Sequence, residues 1–485
     1  MDVLKDLEPK DVFRYFEEIC RIPHGSGNTE EISNYLASFA KEHALSYTQD
    51  AMGNIIIVKE ASAGFESADT VMIQGHMDMV CEKNSNCRHN FRKDPLSLCL
   101  IDDYVFAKGT TLGGDDGIAV AMALAILAGD YEHPRLEIVL TVDEEIGMLG
   151  ATGIDLSDCK AKKLLNLDSE EEGILLTSCA GGLKATCTVP VRYKTKNGTK
   201  YDLVVCGLNG GHSGTEIDKY LGNANIIMGR LLHFLGTKLE YDIITLQGGL
   251  QDNAIPREAN AEILVQNEDM DAFENIIREF EATIRNEYSA NEKNISVYCE
   301  NNGKTKTDVL TPKTKERVIF LLNTVPDGVQ KMSMATKGLV QTSLNFGIMR
   351  LRDHEFSLTA AVRSSVKSEK EALSSKLRYL TETIGGTYNE AGDYPAWEYR
   401  EKSRLREIMI DVYEEMYGEK PVTAGIHAGM ECGVIYEKMK GIDAVSCGPN
   451  ILDIHTPKER LSVSSTQRTF EYLLRVLKEC GKDSQ

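Results

Sequence analysis

At 485 residues, against a usual domain of roughly 100 to 200 residues, the chain is expected to form about three domain-sized units, or two with a large insertion. A small disulfide-stapled scaffold is excluded, and the 42% hydrophobic and 26% charged residues suit compact cores rather than a disordered chain. The formal net charge of −20 repels phosphate backbones and anionic lipid, which argues against nucleic acid or a membrane as partner.

The N-terminal stretch MDVLKDLEPKDVFRYFEEICRIP has neither a basic start nor an apolar signal core, and no run approaches a membrane span. No membrane targeting is expected. Twelve cysteines scattered without CxxC pairs read as reduced thiols of a cytoplasmic protein.

Asn28 and Glu31 form a variant capping box, and Ile32, Tyr35, Leu36 and Phe39 recur at helical spacing, which predicts a helix over 28–43. Nearly continuous apolar runs at 54–58, 70–75, 136–142 and 163–168 suit strands buried on both faces. Between them, the Ala-rich run 117–129 predicts a buried helix, so this part is read as α/β. From about 183 to 395, strands such as 184–193 and 356–365 alternate with amphipathic helices at 224–235, 270–288 and 368–385, which predicts an α+β unit. The C-terminal part returns to α/β character, with a helix at 403–418, the buried run GIDAVSCG at 441–448 and a final helix near 464–479. The pattern predicts a discontinuous domain, 1–182 with 396–485, interrupted by an inserted one, 183–395.

In QGHMDMV, His76 and Asp78 stand two residues apart at the end of a buried strand. A histidine ligand has its second ring nitrogen held by an acceptor, which Asp78 is placed to supply directly or through the chain end; the alternative is a satisfied histidine at a strand terminus. In TTLGGDDGIAVAMA, Asp115 or Asp116 could be an ordinary N-cap. Two adjacent carboxylates opening an almost wholly apolar helix are better explained by a cation. In DEEIGMLGA, Asp143, Glu144 and Glu145 cannot all point the same way, so different roles are implied. Asp168 in NLDSEEEG ends another buried strand, with Glu170, Glu171 and Glu172 reading as a solvated acidic turn. Ligands of α/β sheets bind outside the carboxyl ends of the strands, and here four successive strand or loop ends carry His, Asp or Glu.

Taken in order, GHMDMV, GTTLGGDDGIA, TVDEEIGMLGA, NLDSEEEG, GGHSG, DNAIPR, IHAGMECG and HTPKE resemble the motifs of the cytosolic aminoacyl-histidine dipeptidases. These carnosinase-like enzymes belong to the two-zinc exopeptidases that include glutamate carboxypeptidase and tripeptidase. The likeness runs from about residue 14 to 470. It implies a zinc-exopeptidase catalytic domain, a mixed sheet flanked by helices, with an inserted α+β lid. It also implies hydrolysis of dipeptides with free ends, Xaa-His types included, by a zinc-activated water. Two Zn2+ per chain are implied, with Mn2+ or Co2+ as substitutes, and a homodimer is compatible with it.

By the same resemblance His76 and Asp168 hold one zinc, Glu145 and His455 the other, and Asp115 bridges both. Asp78 would orient His76, and Glu144 would be the general base. His212, otherwise a surface histidine in a strand turn, would stabilise the oxyanion. Asn253 would contact substrate, Glu431 would take part in substrate recognition, and Arg363, otherwise part of a structural ion pair, would clamp the substrate carboxylate. His427 receives no role. One departure is Gly117, where many relatives carry Lys after the Asp doublet; the dipeptidase subgroup shares it. A Cys432 nucleophile with a nearby His is set aside, because it would leave the acidic clusters without a task. Two rivals remain: a deacylase or aminoacylase of the same superfamily, and a non-catalytic metal- or peptide-binding protein.

Overall fold

The computed structural model describes residues 3–483, which divide into two compact units. One holds the chain up to Ser178, Tyr399–Gly425 and Met430 onward; the other holds Cys179–Glu398 with Ile426–Gly429. The short segment Ile426–Gly429 goes with the second unit because the Ala180 amide donates to the carbonyls of Ile426 and Ala428, and His427 Nε2 lies 2.7 Å from Ser343 Oγ.

The first unit is built on an eight-stranded sheet, counted among the described residues. Its centre is four parallel strands in the order Leu136–Thr141, Val71–His76, Lys163–Asn166 and Asp443–Ser446. Every residue of these four is buried, as the continuous apolar runs require of a sheet covered on both faces. Because the four run parallel, their carboxyl ends share one edge, and the segments leaving that edge carry His76, Asp78, Glu144, Glu145 and Asp168. The helix Gly114–Ala128 is apolar all round and buried along all but its last residue, the pattern of a helix enclosed in a core. It begins three residues before the expected start, after Gly113 at φ 67°, and Asp115 and Asp116 depart from helical dihedrals without capping it. Gly117 faces Phe16, whose ring would stand 3.4 Å from an added Cβ. A lysine there would have to place its ammonium into aromatic packing.

The helix expected over 28–43 spans Glu30–Glu42, with Thr29 at its N-cap and no side-chain cap; Asn28 instead donates its amide to the Pro23 carbonyl. A four-stranded sheet, again among the described residues, joins Leu98–Ile101 and Tyr104–Ala107 to the hairpin Ile451–Leu452 and Arg460–Ser462. His455 stands in the loop of that hairpin.

In the second unit a nine-stranded sheet, counted in the same way, carries the helices Ala224–Gly236, Met270–Glu287, Pro312–Thr324 and Lys367–Thr383. The paired strands of this sheet are antiparallel. Its core gathers Tyr201, Ile227, Phe273, Leu321, Phe346, Phe356 and Leu377. A separate short ladder pairs Gly211–His212 with Ala254–Ile255. Among the described residues no helix is long and apolar enough to cross a membrane.

Candidate metal centre

Six side chains of the first unit converge: His76, Asp115, Glu144, Glu145, Asp168 and His455, in three overlapping groups whose donor atoms lie within 4.8 Å of one another. His76 closes its strand. Its Nδ1 lies 3.0 Å from the Asp78 carbonyl and donates to it, which leaves Nε2 to face Asp115 Oδ1 at 3.1 Å and Asp168 Oδ1 at 3.6 Å. A backbone carbonyl therefore fixes the ring, with the Asp78 carboxylate at 3.5 Å as a second neighbour. On the other side, His455 Nε2 lies 3.1 Å from Asp115 Oδ2 and 2.9 Å from Glu145 Oε1. Asp115 thus turns one oxygen to each histidine.

Asp78 has a second task that the motif did not reveal. Its Oδ1 accepts the Glu144 amide at 2.9 Å, and its Oδ2 accepts the Glu145 amide at 3.3 Å and the Ser26 hydroxyl at 2.7 Å. One carboxylate thereby secures both the ligand strand and the loop bearing the two glutamates. The three adjacent acids do divide their roles: Asp143, at φ 54°, accepts the Gly27 amide, while Glu144 and Glu145 join the donor group. The Asp pair divides too. Asp116, fully buried, accepts the His76 amide at 3.1 Å, and its Oδ2 would stand 2.4 Å from a Cβ at position 75, so only Gly75 fits. A glycine inside an apolar strand marks such a close approach, and that was the signal available in the sequence.

The charge balance tests whether cations fit. Burial opposes ionisation of Asp115, but hydrogen bonds from His455 and His76 outweigh it and hold its carboxyl well below the usual range. Burial and the nearby carboxylates Asp115 and Glu145 push Asp168 up to about 6 despite its bond to His76. Glu144 rises well above its ordinary value for the same reasons, burial first and then Asp168, Glu431 and Glu145. Hydrogen bonds to Asp115 and Glu145 raise His455 to about 11. Four carboxylates and two imidazoles at this density need positive charge between them, and His and carboxylate donors are those that zinc and related dications accept. The residues fit two metal ions.

Glu431 differs from expectation. It is fully buried, and its Oε2 accepts the Gln74 amide at 2.5 Å and the Thr141 hydroxyl at 2.6 Å. Thr141 is the register partner of His76, so Glu431 braces the sheet behind the histidine and offers no surface to a substrate. Glu172 is not a solvated turn residue: Arg468 grips it with two bonds of 2.7 Å. Cys432 is completely buried, which leaves the thiol-nucleophile alternative without access.

His212, Asn253 and Arg363 belong to the second unit. The Thr215 amide donates to His212 Nδ1 at 3.2 Å, so the ring proton sits on Nε2. Asn253 is exposed, and its carbonyl accepts the Ser213 amide at 2.9 Å. Arg363 is 9% exposed. Its hydrogen bond among the described residues runs from Nη1 to the Tyr394 hydroxyl at 2.8 Å, and its buried Nε has no partner there. Among the described residues the alternative of a structural ion pair is not realised at this arginine. His427 is buried, and burial followed by the charge of Arg363 lowers its imidazole to about 3.

Residues 72–479 match the peptidase family M20/M25/M40. The chain is 36% identical over 487 aligned positions to the cytosol non-specific dipeptidase of Escherichia coli K12, covering 99% of each. Its structure matches that of the aminoacylhistidine dipeptidase from Vibrio alginolyticus with a TM-score of 0.92 at 34% identity, covering 98% of both chains. The aminopeptidase PepT of Bacillus cereus, at 16% identity and a TM-score of 0.56 over 98% of this chain and 99% of its own, shares the fold.

Proposed function

The chain belongs to peptidase family M20/M25/M40, and from that membership and its donor set we propose that it is a cytoplasmic two-zinc dipeptidase. It acts on dipeptides with free amino and carboxyl ends, Xaa-His types among them. The observation that carries the reading is Asp115, whose two oxygens each face a different histidine at 3.1 Å, as a carboxylate shared by two cations must. His76 and Asp168 would hold one ion, Glu145 and His455 the other, with Mn2+ or Co2+ able to use the same donors. Bound there, the ions would polarise the peptide carbonyl and make a water acidic enough to attack it.

The rest is the work of the chain's own groups. Glu144 takes the water's proton and delivers it to the leaving amine; its amide is pinned by Asp78, so the side chain leaves a fixed point. His212 donates from Nε2 to the developing oxyanion. Asn253, on the segment paired with His212, contacts the substrate, and Arg363 receives its terminal carboxylate. The expected bounds 183–395 shift to Cys179–Glu398 with Ile426–Gly429; we assign catalysis to the first unit and the role of a length-limiting lid to the second.

A panel of free dipeptides and their N-acetylated forms, assayed with zinc, manganese and cobalt, separates this reading from a deacylase. Free dipeptides are expected to be cleaved at least about tenfold faster, the effect of one polar interaction left unmade at the blocked amine. Equal or faster cleavage of the acetylated forms would favour the deacylase.

A further inference from the structure

Glu459 lies outside the donor group, is 3% exposed, and accepts four consecutive backbone amides. Leu112 and Gly113 donate to Oε2 at 2.8 and 3.2 Å, and Gly114 and Asp115 donate to Oε1 at 2.8 and 3.4 Å. These four amides satisfy a carboxylate that burial without partners would penalise. Consecutive amides at the start of a helix are a ready-made anion cradle. Here they open the helix Gly114–Ala128, and the anion they hold comes from the chain itself. The fourth of these amides is that of Asp115. At its other end Glu459 is tied to the loop of the second histidine, since its own amide donates to the Thr456 carbonyl at 3.0 Å, next to His455. That histidine sits at φ 59°, in the left-handed region that a non-glycine residue keeps only where its surroundings hold it there.

We propose that Glu459 is a positioning residue for the dinuclear centre: its carboxylate locks the Asp115 loop to the His455 loop, so that Asp115 stands between the two histidines before any metal arrives. This rests on the two-metal reading. The link joins residues 344 apart in the chain, and it needs two acceptor oxygens. Glutamine has the same shape but turns an NH2 group toward two N–H donors.

The test is a calorimetric titration of chelator-stripped wild type and Glu459→Gln with Co2+, read alongside the visible spectrum of the bound cobalt. Wild type is expected to take up two ions per chain. The variant should lose about tenfold to a hundredfold in affinity for at least one, as outer partners of metal ligands do, with an altered cobalt spectrum and turnover restored by excess Co2+. A purely structural role would lower the thermal midpoint and leave affinity and spectrum unmoved, which would overturn the proposal. Wild type that takes up no more than one ion would instead defeat the two-metal reading. Should the variant fail to fold, amide exchange in stripped wild type decides: the amides of Leu112 to Asp115 should be protected at least about a hundredfold over an open loop. Exchange at open-loop rates would show that Glu459 does not hold them.

Discussion

Replacing Glu144 with glutamine is expected to leave both metal ions bound and the fold intact while turnover falls at least about a hundredfold, the low end for losing a general acid or base. Glutamine keeps the shape and removes the proton acceptor. The loop keeps its geometry because its anchor is the backbone, with the amides of Glu144 and Glu145 both held by Asp78. The companion change separates chemistry from ligation: Glu145→Gln should also lower metal affinity, since Glu145 Oε1 lies 2.9 Å from His455 Nε2 within the donor group. Metal content and kcat measured on the same preparations check both. Near-normal turnover in Glu144→Gln would remove Glu144 from its role.

The second large effect concerns Arg363. A guanidinium 9% exposed, bonded to one tyrosine hydroxyl and carrying an unpartnered Nε, has its charge available for a planar anion, and a carboxylate fits it with two parallel bonds. Amidating the C-terminus of a good dipeptide should therefore cost about 3–5 kcal/mol in kcat/KM, the scale for leaving a buried charge without its partner. Arg363→Ala should cost a similar amount and make the enzyme nearly indifferent to amidation. A double-mutant cycle on acid and amide forms of one dipeptide measures this coupling. If the two losses simply add, Arg363 is not the carboxylate clamp.

The parallel core of the first unit was readable because each strand there is an unbroken apolar run, and the site was readable because acids and histidines follow those runs directly. The second unit was harder to read. The strand Ser296–Leu310 alternates polar residues and is largely exposed, and Val340–Arg352 mixes Gln, Thr, Ser and Asn into a mostly buried strand. The first gives no clean apolar period, and the second buries its polar positions along with its apolar ones. The helix Pro312–Thr324 opens on Thr311 and Pro312, a start signal that a lysine-rich first turn obscured. At the site, residue type told less than burial. Glu431 sits in a glycine-rich motif that suggests a ligand contact, yet the side chain turns inward to Gln74 and Thr141. Asp116 and Glu459 serve through backbone amides; Gly75 marks the first of these in the sequence, and no residue marks the second.

The most direct test of a two-metal dipeptidase is to strip the protein with a chelator and titrate Zn2+ back while recording bound metal and the cleavage of a free dipeptide on the same samples. Activity is expected to vanish in the stripped protein and to reach its plateau only when two ions per chain are bound. Full activity at one ion per chain, or with none, would contradict the account.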